Sequence, residues 1–392
     1  MALVGAACSR ESATPESAPV PVAIANRSHK TGSRFGSGLQ PRFAAPNKVP
    51  SPSPGATRYS HDATHSPPRG INVSPARDIA AASRSHRDET ALSSNRYRSA
   101  TSGTVMTTPG TDQPTFSFEL FPPKTAEGME KLKHTVQQLN SVRPLYFSCT
   151  YGAGGSTRER TFETVAWLRG QGIETAPHLA CIGSDKAEIR DIVRFYIEQG
   201  ITRIVALRGD LPSGMGRAGL GTFRYANELV SFLREEFGDR FHLEVAAYPE
   251  FHPQAASASA DLANFKRKVE AGADAAITQY FYNADAYFRF VDDCTKAGID
   301  LPIVPGIMPI TNYTQLARFS DACGAEIPRW VRKRLEGFGD DKDAIRAFGH
   351  EVVIELCNNL LEGGAPGLHF YTMNQAAPTL RLWEELGLTA DL

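Results

Sequence analysis

The chain has 392 residues, with 42 Lys and Arg against 43 Asp and Glu and a formal net charge of −1. That balance hides an asymmetry. Before about residue 105, basic residues outnumber acidic ones roughly two to one, and the remainder carries the acidic excess. No run of 18 or more apolar residues occurs, which excludes an apolar membrane-spanning helix.

Residues 1–110 are rich in Ser, Ala, Pro and Arg and have no sustained apolar periodicity. Such a segment cannot bury enough apolar surface to offset its conformational entropy, so a disordered tail is expected. Arg-rich, Ser-rich, acid-poor N-termini can be transit peptides, but prolines interrupt any long amphipathic helix here. Met106 opens a polar lead-in to the first strand-like run. The reading adopted is that translation begins there and that the product is cytoplasmic. Six cysteines (Cys8, Cys149, Cys181, Cys294, Cys323, Cys357) are scattered, without a C-x-x-C pair or zinc-ligand spacing. Buried, unpaired thiols in a reducing compartment are expected.

From 111 to 392 the chain reads as one domain. Apolar, strand-like runs fall at 116–121, 145–150, 175–181, 203–207, 242–248, 275–281, 302–308 and 368–372. Between them, helical spacing of apolar residues predicts helices at 130–139, 161–168, 189–196, 225–237, 262–271, 287–297 and 313–322, with extra helix in 326–362 before the last strand. Eight strand–helix repeats predict an α/β fold, a (β/α)8 TIM barrel, with the extra helices as an insertion. A doubly wound open sheet fits less well, because no Gly-x-Gly-x-x-Gly opens a helix after the first strand.

In a barrel of this kind, chemistry sits at the C-terminal ends of the strands. Those ends carry Glu119, Thr150 and Tyr151, His178, Arg208 and Asp210, Tyr248 and Glu250 with His252, Gln279, and Tyr371 with Asn374. Glu119 is enclosed by Phe118, Leu120 and Phe121; desolvation there raises a carboxyl pKa and suits a general acid, with a structural ion pair equally open. His178 taken alone reads as a satisfied core histidine. Arg208 and Asp210 could simply pair with each other. Gln279 follows Ile277 and Thr278, and a barrel-facing amide must find partners or pay a desolvation penalty. There is no Gly-x-Ser-x-Gly elbow, Walker loop or His-Glu-x-x-His, and no metal-ligand cluster, so hydrolytic and metal-assisted chemistry are unsupported. One acid, one separate carboxylate, an Arg, a His and several aromatics point to an organic cofactor with phosphates and a flat ring.

The motifs Phe116-Ser117-Phe118-Glu119-Leu120-Phe121-Pro122-Pro123, Thr150-Tyr151-Gly152-Ala153, Ala176-Pro177-His178-Leu179, Ala206-Leu207-Arg208-Gly209-Asp210-Leu211-Pro212, Ala246-Ala247-Tyr248-Pro249-Glu250, Ile277-Thr278-Gln279-Tyr280-Phe281 and His369-Phe370-Tyr371-Thr372 occur in this order. Together, over residues 115–388, the chain resembles the bacterial 5,10-methylenetetrahydrofolate reductases. The resemblance implies an oxidoreductase acting on CH–NH donors. It implies FAD as cofactor and NADH as electron donor, with NADPH left open, and 5,10-methylenetetrahydrofolate reduced to 5-methyltetrahydrofolate. Glu119 and Asp210 are implied as catalytic: the first as the acid that opens the folate's five-membered ring, the second as a carboxylate beside flavin and pterin. Implied FAD contacts are Tyr151, Ala153, His178, Arg208, Gly209, Asp210, Tyr225, Tyr248, His252, Asp261, Asn264, Arg267 and Lys268. Implied contacts to folate or NADH are Thr150, Asp210, Gln279, Gln315, Phe319 and Gln375. At Gln375 many relatives carry Arg, and the loss of that charge bears on folate affinity. Small-molecule substrates, no metal, no nucleic-acid or membrane partner and a homo-oligomer are expected. The chain stops soon after the eighth strand, so feedback by S-adenosylmethionine is not expected. Two other readings are a flavin-free pterin-binding methyltransferase barrel and a non-catalytic flavin- or folate-binding protein. The cation pair Arg267-Lys268 and Asp210 weigh against the first; the acid, Asp210 and Gln279 weigh against the second.

Overall fold

The computed structural model describes residues 114–151, 158–210 and 221–388. The expected tail, Met106 and Ala153 lie outside these residues.

Among the described residues, nine strands form one wholly parallel sheet: β1 (Thr115–Leu120), β2 (Tyr146–Cys149), β3 (Thr175–Ala180), β4 (Arg203–Leu207), β5 (His242–Ala247), β6 (Ala275–Thr278), β7 (Ile303–Val304), β8 (Gly306–Ile307) and β9 (Gly367–Tyr371). Their spatial order is β7-β6-β5-β4-β3-β2-β1-β9-β8. β7 and β8 are two pieces of the expected seventh strand, separated by Pro305. Proline has no N–H to give to a ladder. The carbonyl of Pro305 instead accepts from His369 N at 3.0 Å. The first piece therefore pairs with β6 and the second with β9, and the sheet closes into an eight-stranded barrel.

Helices α1 (Ala126–Leu139), α2 (Arg158–Gly170), α3 (Lys186–Glu198), α4 (Ala226–Phe237), α5 (Ala258–Glu270), α6 (Ala284–Lys296) and α7 (Tyr313–Cys323) alternate with the strands. The insertion predicted at 326–362 is α8 (Arg329–Gly337) and α9 (Lys342–Glu362). α10 (Ala376–Glu385) follows β9 and was not anticipated from the sequence. Its buried residues Ala376, Thr379, Leu382 and Trp383 nevertheless follow the helical repeat.

Local sequence explains the helix starts. Asp185 and Glu188 form a reciprocal capping box on α3, and Ser257, Asn283 and Asn312 cap α5, α6 and α7 with their side chains. Each helix then turns one apolar stripe onto the barrel wall, as with Ile189, Ile192, Val193 and Tyr196 of α3. Strand residues that alternate with the interior, such as Phe118, Leu120, Phe147 and Leu179, meet those stripes with essentially no exposure. Each such side chain contributes about 1.5–3 kcal/mol. Cys149, Cys181, Cys294, Cys323 and Cys357 are buried and unpaired, as the sequence suggested.

Candidate active site

Alternation aims the opposite set of strand residues into the barrel, and register stacks them in layers. Ser117 lies level with Tyr146 and His369; Glu119 lies level with Ser148 and Tyr371. The lower layer holds Glu244 of β5, whose carboxylate accepts from Tyr146 Oη at 2.6 Å and from the Arg203 guanidinium at 2.5 Å. That guanidinium also lies over the Tyr146 ring, 4.8 Å from its centroid. This arrangement plugs the N-terminal end of the barrel.

The layer above is different. Glu119 is 4% exposed, and its Oε2 lies 3.4 Å from His178 Nε2 and 3.9 Å from His369 Nε2. Burial pushes both histidines down to about 3, with His369 held down further by its neighbour His178. Both are therefore neutral near pH 7, so neither offers Glu119 a cation. Ser117 Oγ and His369 Nδ1 are 2.7 Å apart, which fixes the ring and turns Nε2 towards Glu119. Neither imidazole Nε2 has a well-formed hydrogen bond to protein among the described residues. His178 is thus buried like a core histidine but is not satisfied like one.

Gln279, directly after β6, is 2% exposed. Its Oε1 accepts from Tyr280 N at 3.1 Å, and its Nε2 has no hydrogen-bond partner among the described residues. A buried amide donor left in this way is costly unless a ligand supplies an acceptor. Tyr371 Oη donates to Thr278 O at 2.6 Å across the barrel. Gly306 makes that crossing possible, since a Cβ there would come within 2.7 Å of Tyr371 Oη. Thr372 Oγ1 donates to Glu119 O at 2.7 Å, and the Asn374 side chain both accepts from Phe121 N and donates to Phe121 O. The loop after β9 is thereby pinned beside Glu119, with Met373 and Asn374 both at positive φ. Left-handed backbone at Met, which lacks the local compensation open to Asn, is strain of the kind that collects at functional loops.

The β4 end places Arg208, Gly209 and Asp210 in succession. Arg208 donates to Gln254 Oε1 at 2.7 Å and to Gly209 O, so its hydrogen bonds run to the β5–α5 loop and its own backbone. Gly209 has φ +84°, and a Cβ would lie 2.9 Å from Ala180 and Ile182, so the position takes only glycine. Asp210 is half-buried at the rim. Thr150 and Tyr151 are buried at the β2 end.

Beyond β5, Tyr248 is buried, with its ring edge-on to His252 at 4.7 Å. Asp261 Oδ2 accepts from His252 N at 2.8 Å, which folds the loop onto α5. Burial lowers His252 to about 4 and raises the Asp261 carboxyl. Lys268 reaches back to the Ala246 carbonyl, and burial lowers its ammonium to about 8. Arg267 and Asn264 bond each other on the exposed side of α5. Tyr248 and Asp261 also line a crevice of about 700 Å³ facing Arg289 and Phe290 of α6; Glu119, His178 and Gln279 do not line it. Tyr225, ahead of α4, is 58% exposed. On α7, Gln315 is half-buried, and Phe319 is 4% exposed within the continuous core. Gln375 is exposed at the start of α10.

The structure therefore gathers Glu119, His178, Gln279, Thr150 and Asp210 around the C-terminal mouth, and sets His252, Asp261 and Lys268 along one side of it. His369 and Ser117 were missed as site residues. Their signal lay in polar residues spaced by two from Glu119 and Tyr371, visible only once β1 and β9 are in register.

A parallel barrel with an acid, imidazoles and an unsatisfied amide at its mouth is the framework of a TIM-barrel enzyme. The family profile described as "Methylenetetrahydrofolate reductase" matches residues 105–387. The chain is 42% identical over 277 residues to 5,10-methylenetetrahydrofolate reductase of Escherichia coli K12, spanning 70% of this chain and 92% of that protein. It is 39% identical over 288 residues to a probable methylenetetrahydrofolate reductase (NADH) of Oryza sativa, spanning 70% of this chain and 48% of that protein. A solved protein from Clostridium thermocellum, described as binding two copies of 5-methyl-5,6,7,8-tetrahydrofolic acid, shares the fold at TM-score 0.50 and 17% identity, covering 66% of this chain and 88% of that one. The chain belongs to the methylenetetrahydrofolate reductase family.

Proposed function

We propose that this chain reduces 5,10-methylenetetrahydrofolate to 5-methyltetrahydrofolate, with NADH as donor and FAD as the resident cofactor. The single observation that carries the reading is the juxtaposition of buried Glu119 with neutral His178 and His369, in a barrel that also buries the amide of Gln279 directly after β6. Burial beside neutral imidazoles favours the protonated, proton-donating form of a carboxyl. Glu119 delivers that proton to a ring nitrogen of the folate. The five-membered ring opens and leaves an electrophilic iminium carbon. Asp210 stabilises this cation by Coulomb attraction at the rim. Gln279 Nε2 donates to the heterocycle edge and orients it.

The residues fit a flavin dinucleotide. Gly209 removes a side chain where the backbone turns, Arg208 and Lys268 supply cations, exposed Tyr225 offers a flat face, and Tyr248, His252 and Asp261 form a continuous polar wall. Tyr151, His178, Asn264 and Arg267 complete the set that would hold it. When bound, FAD supplies the hydride that the iminium carbon accepts. Thr150, Gln315 and Phe319 border the space where folate and NADH bind. The catalytic domain begins near residue 111, so removing residues 1–105 leaves turnover intact.

The test is spectroscopic. Purified full-length protein is expected to be yellow, to bleach anaerobically with NADH and to recover its colour on adding 5,10-methylenetetrahydrofolate. A colourless protein that does not take up FAD sinks the reading.

A further inference from the structure

The residue after Gln279 is attached in two directions. Tyr280 N donates to Gln279 Oε1 at 3.1 Å, so the carboxamide is held by its oxygen and Nε2 is the end left for a ligand. The Tyr280 side chain reaches α7, where its hydroxyl lies 3.0 Å from Ser320 Oγ in a buried bond that either group can donate. Tyr280 is 1% exposed and Ser320 3%. The rings of Tyr282 and Tyr371 stand edge-on to Tyr280, with centroids 5.9 and 6.4 Å away. Packing therefore fixes the Tyr280 ring, and the hydroxyl pair adds direction to the contact.

Ser320 directly follows Phe319, and Gln315 lies one turn before Phe319 on the same side of α7. The apolar packing of Leu316 and Cys323 holds the helix down without orienting it. Polar contacts at its two ends are exposed. Tyr313 Oη donates to Glu336 Oε1 at 3.2 Å, and beyond the C-terminus Glu326 N donates to Glu250 Oε2 at 2.7 Å. A helix held in this way can roll about its axis, and a roll carries Gln315 and Phe319 together. The buried hydroxyl pair beside Phe319 opposes that roll. Its other end is rigid, because Tyr371 Oη holds Thr278 O just before Gln279 and Thr278 Oγ1 accepts from Gly306 N at 2.9 Å.

We propose that Tyr280 and Ser320 are positioning residues that join Gln279 to Phe319 and Gln315 as one recognition unit, shared by the two substrates that use the mouth in turn. The inference rests on the folate and NADH reading above. Without the hydroxyl pair Gln279 keeps its place while α7 loses its setting against it. The cost then falls on affinity and not on proton or hydride transfer.

The experiment compares full-length, FAD-loaded protein with Tyr280→Phe, Ser320→Ala and the double variant. Stopped-flow titration of flavin reduction by NADH, and of flavin reoxidation by 5,10-methylenetetrahydrofolate, gives an affinity and a limiting rate for each substrate. Each single variant strands a buried hydroxyl and should unfold at lower temperature, whereas the double variant strands none and should regain stability. Affinity behaves differently if the pair positions α7. Both substrates should bind about tenfold more weakly to each single variant and to the double variant alike, with limiting rates falling far less. Affinities that recover with stability in the double variant show the hydroxyls to be structural and overturn the inference. Losses that add in the double variant, losses for one substrate alone, or no loss at all also overturn it. In each of those cases the unmodified protein still completes both half-reactions, and the functional reading stands. Unmodified protein whose flavin is not reduced by NADH, or not reoxidised by the folate, overturns that reading and the inference with it.

Discussion

The barrel buries two glutamates in adjacent layers and treats them in opposite ways. Glu244 near the floor is met by a guanidinium and a phenol, both within 2.6 Å. Glu119 near the mouth is met by imidazoles that burial keeps neutral. In the first setting a guanidinium and a hydroxyl offset a carboxylate's charge where it sits. In the second the two imidazoles bring no charge to do so. The same residue type in the same fold thus meets a cation and a phenol at one end and neutral imidazoles at the other, and the acid role proposed for Glu119 rests on that difference in neighbours.

This contrast can be broken by exchanging the two roles. Glu119→Gln is expected to lower folate reduction by about 10²–10⁴-fold, because the amide cannot protonate the ring nitrogen. Stopped-flow measurement of the two half-reactions should show flavin reduction by NADH falling far less. Equal loss in both would make Glu119 a structural residue. Glu244→Ala should act on stability, costing about 3–5 kcal/mol by stranding Arg203 and the buried Tyr146 hydroxyl. Urea unfolding checks it, and a change below about 1 kcal/mol would remove the brace from the account.

Protonation probes the mouth more gently. The folded-state values of His178 and His369 lie near 3, below the ordinary 6.5, so between those limits the unfolded chain binds protons that the folded chain refuses. Stability is therefore fully present above pH 6.5 and is lost as pH falls towards 3, at about 1.4 kcal/mol per pH unit for each histidine. Replacing His369 with Asn should remove one proton's worth of that slope in urea titrations between about pH 4 and 6. An unchanged slope would show that His369 is not held neutral. The smallest effect is electrostatic. Asp210→Asn should raise the flavin midpoint potential by something on the order of tens of millivolts. A redox titration with an unchanged midpoint would confine Asp210 to a structural role at the rim.

Much of this was legible in the chain. Apolar runs that end in Glu119, His178, Arg208 and Gln279 reported both the strands and where polar side chains reach the mouth, because a barrel strand is largely apolar until it nears the rim. The extra helices before β9 were readable from their apolar spacing. What escaped needed register. Ser117, His369 and Glu244 sit inside apolar runs, and only the pairing of β1 with β9 and of β4 with β5 shows which of them share a layer. The split of the seventh strand was signalled by Pro305, but its consequence depends on which neighbours flank it. α10 escaped because its first turn, Ala376-Ala377-Pro378, carries little apolar contrast.

That proline has one more effect. The ring is fastened on either side of Pro305 by only two residue pairs, Ala276 with Ile303 and Ile277 with Val304 on one flank, Gly306 with His369 and Ile307 with Phe370 on the other. Such short ladders are the seam along which a closed sheet parts first, and amide exchange should be fastest there. α7 hangs from the seam by a short loop and carries Gln315 and Phe319, while His369 lies directly across it from Gly306. Breathing at this one joint would loosen the placement of Gln315 and Phe319 and the surroundings of Glu119 together.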